Sequence, residues 1–478
     1  MSEEKTQVKS RPLRFSIQER QTILFIGDLL VALISLFLSL YIWANSERFI
    51  GFSLEFIQKR VPAWFLFFPL GWLVLLVELY DIRQASDWKA IVRGIALAAL
   101  TGFGIYLVLY FYYVNSPKSL LPRRGVASFL IIVSILTLAW RLIYLRIFTN
   151  PRFMRRVLLV GGGKSGQLLI NSINQLSTMP FNIVGIIDDD PQKEGIVIEG
   201  YPVIGTSESI EIIIEEQEIT DIIVAITGEM RGELFQALLM AHEAGIEVMR
   251  MPRVYEELFR RVPIRVLEAD WILRSFVDEV HTKGFYELGK RIMDILGALV
   301  GLCITALVFP FAALAIVLES GLPIFYSQVR SGKGDLRYHI YKFRTMYRDA
   351  EADGRPHWAT EDDQRATRVG KFLRKTHMDE LPQFYNVLRG EMSLVGPRAE
   401  RPELVVLFEK HVPFYRARLL VKPGMAGWAQ VNFGYASTID ETITKLEYDL
   451  YYIKHRNLFL DILIILRTPS TVFGFRGR

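Results

Sequence analysis

A single cysteine, Cys303, among 478 residues excludes intramolecular disulfides and any metal centre built on several thiolates. It lies in an apolar stretch and reads as a small packing residue. There is no internal repeat and no low-complexity tract, so a repeat array is not expected. Neither sign of charge is in large excess: 56 Lys and Arg stand against 51 Asp and Glu, a net charge of +5. The basic residues that do cluster are Lys5, Lys9, Arg11, Arg14 and Arg20 near the N-terminus, and Arg152, Arg155 and Arg156 after the fourth apolar block. That placement suits an anionic membrane leaflet and gives no reason to expect nucleic acid as a partner.

What the chain has in quantity is hydrophobicity, 51% of residues with a mean hydropathy of +0.24, and it is gathered in blocks. Four come first, at residues 22–44, 63–80, 90–114 and 126–148. Each is long enough, or nearly so, to cross a hydrocarbon core of about 30 Å as a helix. The expectation is a cytoplasmic basic tail over 1–21 and a four-helix transmembrane domain over 22–148. The first block is too long for a cleavable signal peptide and lacks a small-residue cleavage pattern. The basic residues on both sides of the four blocks place both ends inside, whereas the basic loop at 118–124 argues the other way.

From Arg155 onward, short β-rich runs alternate with amphipathic helical patterns. Strands are expected at 157–161, 183–187, 221–226 and 246–251, with helices at 165–175, 208–216 and 232–244. That alternation implies a doubly wound parallel sheet, a Rossmann-like nucleotide-fold domain over 149–275. Its first turn, Gly161-Gly162-Gly163-Lys164-Ser165-Gly166, satisfies G-x-G-x-x-G, and Asp188 ends the next strand where a ribose-binding acid would sit. Gly161, Gly163, Gly166 and Asp188 form a candidate cofactor-binding set. A packing or regulatory role for the same glycines stands beside it.

A fifth apolar block, 292–318, carries Pro310 in its interior. A proline inside a helix removes a backbone hydrogen bond and clashes with the preceding turn. A break at Pro310 would make a re-entrant helix over about 291–318, keeping everything after it on the same side as the sheet domain. A straight span with a tolerated proline is the alternative.

Three short segments in the last domain, 276–478, carry the chemistry: YKFRTM (341–346), LRKTHMDELPQ (373–383) and SLVGPR (393–398). Lys342 and Arg344 share one face of an expected strand. Asp379 and Glu380 precede Pro382, which is tolerated only in the first turn of a helix, so the acids are placed at a helix N-terminus, where anions are favoured. Capping chemistry alone accounts for acids there. Lys342, Arg344, Arg374 and Arg398 add a second reading, because phosphoryl transfer depends on positioning and on neutralising spread negative charge. A carboxylate ionised at neutral pH needs no base to act as a nucleophile.

With KPGMAGWAQVN (422–432), these motifs resemble the bacterial polyprenyl-phosphate phosphoglycosyltransferases, the bacterial sugar transferase family in its large monotopic form. The four N-terminal spans and the nucleotide-fold insert extend the resemblance over nearly the whole chain. The resemblance implies Asp379 as nucleophile, Glu380 as a Mg²⁺-associated partner, and Lys342, Arg374 and Arg398 around the phosphates. It implies a UDP-sugar donor, undecaprenyl phosphate as acceptor in the bacterial inner membrane, membrane lipid around the enzyme, and a homodimer. The product would start O-antigen, capsule or exopolysaccharide synthesis. Ala399 stands where the family often has proline, and Phe309 stands where small members have serine before the helix-breaking proline.

Two rival readings remain at this point. Tyr286 and Lys290 form the Tyr-x-x-x-Lys spacing of an NAD-dependent nucleotide-sugar dehydratase or epimerase, although they abut the fifth apolar block. A non-catalytic assembly scaffold is the other, against which the intact Asp-Glu pair counts.

Overall fold

The computed structural model describes residues 15–46 except 16, 51–113, 123–148, 154–267, 284–347, 365–434 and 438–472, leaving out 177, 178, 180, 227 and 229. Lys5, Lys9, Arg11, Arg14, Lys118 and Arg152 lie outside the described residues. The chain forms two compact units, Met1–Leu258 and Phe259–Arg478.

The first unit begins with three long apolar helices: α1 (Ile17–Ser46), α2 (Trp88–Tyr113) and α3 (Arg123–Phe148). Each is long and apolar enough to cross a bilayer. The block at 63–80 does not form the fourth such helix. It folds as a 3₁₀ turn (Ala63–Phe67), a short α-helix (Phe68–Leu75) and a second 3₁₀ turn (Val77–Tyr80). Pro62 and Pro69 lack the N–H groups that a continuous helix would need, and Leu76 leaves helical geometry with φ −85° and ψ 4°. The broken segment is held by polar bonds between elements. Trp72 Nε1 donates to Thr137 Oγ1 at 3.1 Å. Arg141 donates to the Leu79 carbonyl at 2.8 Å and pairs with Asp28 at 2.6 Å, both side chains fully buried. Buried intramembrane charges are tolerated only when paired in this way.

The sheet of the first unit comprises β1 (Arg156–Val160), β2 (Asn182–Ile187), β3 (Val197–Ile198), β4 (Tyr201–Gly205), β5 (Asp221–Val224) and β6 (Glu247–Arg250), in the order β3-β4-β2-β1-β5-β6. All neighbours are parallel except β3 and β4. Helices α4 (Lys164–Asn174), α5 (Ile210–Glu216) and α6 (Gly232–Glu243) connect the strands. The expected strands and helices are present to within a few residues. The β3–β4 hairpin was not expected: β3 is two residues long and leaves no periodic signal.

The second unit is built on one helix, α8 (Gly284–Ser320), of 37 residues; α7 (Met251–Phe259) closes the preceding unit. At 1.5 Å per residue α8 is about 55 Å long. Pro310 does not break it: helix continues on both sides, with the proline exposed on the apolar face. Neighbouring turns are gripped from outside, by Thr305 donating to the Leu381 carbonyl at 3.2 Å and by Ala312 packed against Phe343 and Leu373.

Around α8 stand the antiparallel hairpin β7 (Phe325–Ser331) and β8 (Arg337–Phe343), then α9 (Arg368–Lys375) and α10 (Phe384–Arg389). Strand β9 (Ser393–Val395), α11 (Pro402–His411) and β10 (Gly424–Ala426) follow, and α12 (Ile439–His455) and α13 (Leu458–Val472) complete the unit. The contacts of α8 recur every third or fourth residue along its length: Tyr286, Lys290, Asp294, Ala298, Gly301, Thr305, Val308, Ala312, Ile316 and Ser320. The other face exposes Leu288, Leu296, Val300, Leu307, Phe311, Leu314 and Leu318.

Residues 260–265 strap across α12. Trp428 Nε1 donates to the Arg260 carbonyl at 2.9 Å, Val262 N to the Glu447 carbonyl at 3.0 Å, and Arg261 lies 3.6 Å from the Glu447 carboxylate. Burial pushes the Glu447 carboxyl up to about 7, against the pull of Arg261 and Arg265. Its ordinary value is 4.5. Between about pH 4.5 and 7 the folded unit therefore holds the extra proton, and stability falls as pH rises through that window. The melting temperature of the full chain in detergent is expected to drop by several degrees from pH 5 to pH 8. Glu447→Gln should flatten that drop; an unchanged slope in the variant would remove Glu447 as its source.

Candidate active site

Asp379 and Glu380 sit in the first turn of a 3₁₀ helix, Met378–Gln383, that runs directly into α10. The helical start is where the sequence places it, but the first turn is 3₁₀ and Pro382 lies within it. His377 opens the turn in the left-handed region at φ 53°, turning the chain out of α9.

Two cations from distant elements meet at one carboxylate oxygen. Lys342 Nζ, from β8, lies 2.6 Å from Glu380 Oε1 and 4.0 Å from Asp379 Oδ2. Arg398 Nη2 lies 2.8 Å from the same Glu380 Oε1. Asn386, fully buried, fixes the approach of β8: its Oδ1 accepts from Tyr341 N at 3.2 Å and its Nδ2 donates to the His339 carbonyl at 2.7 Å.

The loop carrying Arg398 is held by close backbone approach. Gly396 N donates to the Ala426 carbonyl at 2.8 Å and Gly424 N to the Pro397 carbonyl at 2.9 Å. A Cβ on Gly424 would come within 2.0 Å of Gly396 N, so the glycines of Gly-Pro-Arg and Lys-Pro-Gly are needed for contact. From the other side, Asp294 of α8 accepts from Ser393 Oγ and Leu394 N, both at 2.9 Å.

Electrostatics separate the two acids. Burial raises the Asp379 carboxyl above its ordinary value and Glu380 adds to the rise, against Lys342 and Arg398. Burial also opposes charge on Glu380, but Arg398 and Lys342 outweigh it and hold that carboxyl well below the usual glutamate range. Adjacent carboxyls driven in opposite directions are the pattern of a site with divided roles.

The other two expected cations, Arg344 and Arg374, are placed by α8 and α9. Arg344 directly follows β8, where its backbone N still donates to the Ile324 carbonyl at 2.8 Å, and its side chain is engaged at the end of α8. It donates to Ser320 O and Oγ, both at 2.9 Å, and to the Gly321 carbonyl, closing the C-terminus of α8. Arg374 is in the last turn of α9, and among the described residues no hydrogen bond or ion pair joins it to either acid. Tyr286 and Lys290 both bond Asp461 of α13 at 3.1 Å, and Lys290 also reaches the Val395 carbonyl at 3.0 Å. They join α8 to its neighbours inside the second unit.

In the first unit, Gly163 caps α4, Gly161 takes φ +106°, and a Cβ on Gly166 would meet the Gly161 carbonyl at 2.1 Å. Asp188 accepts from Gly162 N at 2.8 Å and pairs with Lys193 at 2.9 Å. The glycine turn is thus bonded to its own chain.

A bacterial sugar transferase family model matches residues 285–475, and one described as a CoA-binding domain matches 75–252. The UDP-glucose:undecaprenyl-phosphate glucose-1-phosphate transferase of Escherichia coli is 30% identical over 322 residues, 67% of this chain and 68% of the relative. The chain belongs to the bacterial sugar transferase family. It is also similar to the UDP-N-acetylgalactosamine-undecaprenyl-phosphate N-acetylgalactosaminephosphotransferase of Aeromonas hydrophila, 41% identical over 251 residues, 52% of this chain and 58% of the relative. The undecaprenyl-phosphate glucose phosphotransferase of Komagataeibacter xylinus is 29% identical over 422 residues, 84% of this chain and 74% of that one. This chain therefore spans little more than half of the Aeromonas enzyme.

Proposed function

We propose that this sugar transferase moves a hexose-1-phosphate from a UDP-sugar to undecaprenyl phosphate, releasing UMP, through a phosphosugar on Asp379. The observation that carries the reading is the convergence of Lys342 and Arg398 on Glu380 beside the buried Asp379. An Asp379 oxygen attacks the phosphorus next to the sugar. The bond from that phosphorus to the bridging oxygen breaks, and UMP leaves with the electron pair. An oxygen of the lipid phosphate then attacks the same phosphorus and Asp379 leaves as a carboxylate. The raised basicity of Asp379 favours the first attack, and Arg398 and Lys342 supply the positive charge that the crowded phosphates need.

Mg²⁺ is held in such sites by one or two carboxylates and the substrate phosphates. Asp379 and Glu380 supply two such carboxylates side by side, with Glu380 Oε1 already bound to two cations. Glu380, with the donor phosphates, would hold the ion, which would neutralise diphosphate charge.

The reading places the second unit against one face of the inner membrane, on the cytoplasmic side with the donor. The α8 seam supports this, since polar anchors at Tyr286, Lys290, Asp294, Thr305 and Ser320 span nearly its whole length. A perpendicular crossing would carry the charged body bonded to them into hydrocarbon, at a cost of several kcal/mol per ion. With Cys303 replaced by serine, Lys333→Cys should resist an impermeant maleimide in intact cells and react in inverted vesicles. Efficient labelling from outside would overturn the one-face arrangement.

The test of the reaction is purified enzyme with undecaprenyl phosphate, Mg²⁺ and a panel including UDP-glucose, UDP-galactose and UDP-N-acetylgalactosamine. UMP release with one sugar is expected. No UMP from any nucleotide sugar in folded enzyme would refute the reading.

A further inference from the structure

Behind the Arg398 loop lies a buried ionic network that the transfer chemistry does not use. Arg418, 4% exposed, donates to three groups and lies beside a fourth. Its Nη1 reaches Tyr415 Oη at 2.6 Å and lies 3.5 Å from the Glu400 carboxylate. Its Nη2 reaches Asp449 Oδ2 at 3.0 Å and the main-chain carbonyl of Arg398 at 2.9 Å. Glu400 pairs with Lys445 at 3.0 Å, and its backbone carbonyl accepts from Ser331 N at 3.0 Å. Arg330 donates to the Ala399 carbonyl at 3.2 Å. On the opposite side the loop is bridged to Gly424. Ser331, Gly332, Arg398, Glu400 and Arg418 line one small cleft.

We propose that Arg418 is a positioning residue of the transfer site: by binding the Arg398 carbonyl while anchored to Asp449 on α12, it sets the angle at which the Arg398 side chain reaches Glu380 and the donor phosphates. The inference rests on the reading of Arg398 as a phosphate ligand. The planar guanidinium is what the geometry requires. One donor arm is spent on Asp449 and the carbonyl, and the other on Tyr415. A lysine would keep the charge beside Asp449 but could not hold three acceptors in one plane. Arg418 itself is buried behind the loop and touches no reacting atom, so its effect must pass through Arg398.

A double-mutant cycle separates this from simple structural support, because residues acting through one another are non-additive. The measured quantity is kcat/KM for the UDP-sugar selected by the panel, using full-length enzyme with undecaprenyl phosphate. Arg418→Lys should lower it by about tenfold or more in the wild-type background, mainly through the donor KM. In an Arg398→Ala background the same change should cost less than about twofold. Equal losses in both backgrounds would overturn the proposal and leave the transfer reaction standing. Full activity of Arg398→Ala would overturn the proposal together with the reading of Arg398 as a phosphate ligand. Should Arg418→Lys fail to fold by thermal melting, Tyr415→Phe runs the same cycle, since it removes one acceptor and leaves the Asp449 pair intact. A loss confined to the wild-type background is again the expected result, and equal losses the overturning one.

Discussion

Asparagine in place of Asp379 is expected to lower turnover by about a thousandfold or more, the scale seen when a nucleophile is removed from a covalent mechanism. Fold stability should hardly change, because among the described residues the one ion pair of Asp379 is a long one, with Lys342 at 4.0 Å. The more discriminating experiment omits the lipid. Wild-type enzyme should exchange labelled UMP into UDP-sugar, since the first displacement is complete without an acceptor, and Asp379→Asn should not. Direct attack by the lipid phosphate on the donor predicts no exchange in either. Enzyme that is active with lipid yet shows neither exchange nor a trappable phosphosugar would rule out the covalent intermediate.

Glu380→Gln is the second large effect. The wild-type carboxylate gathers Lys342 and Arg398 onto one oxygen, and an uncharged amide cannot hold both. Losing two charge-assisted bonds, each about 1.5–3 kcal/mol, should cut kcat by about a hundredfold or more and raise the Mg²⁺ concentration needed for half-maximal rate. The protein should still fold, since the turn sits at a helix start and not in an apolar core. Wild-type kcat with an unchanged Mg²⁺ requirement would remove Glu380 from the site.

The candidate site was legible in the sequence where it is local and illegible where it depends on distance. Asp379, Glu380, Lys342 and Arg398 could be named because each lies in a short motif whose residue types suit anionic phosphates. Arg344 was grouped with Lys342 because alternation along a strand puts residues two apart on one face, and its guanidinium is bonded to Ser320 at the end of α8. Arg374 was included for its proximity in sequence to the acids, which α9 and the turn at His377 do not convert into contact. The block at 63–80 reads as a span by composition, but Pro62 and Pro69 decide its backbone. Asn386, Asp294 and Arg418 gave no local signal for the bonds that hold β8, the Ser393 turn and the Arg398 loop, which reach 45 to 47, 99 to 100 and 20 residues away. The sheet was easier to anticipate, because parallel strands buried on both faces leave continuous apolar runs.

The unbroken contact face of α8 also bears on how the two substrates meet. A body joined to its apolar helix at turn after turn cannot lift from the bilayer without baring Leu288, Leu296, Val300, Leu307, Phe311, Leu314 and Leu318 together. Each large apolar side chain returned to water costs about 1.5–3 kcal/mol, so such excursions are rare on the time scale of turnover. The active site then stays at a constant depth, sampling a volume from the water side and an area from the lipid side. For the acceptor, the variable that governs rate is the number of lipid phosphates per unit of membrane, and diluting the vesicles at fixed lipid composition should leave it unchanged.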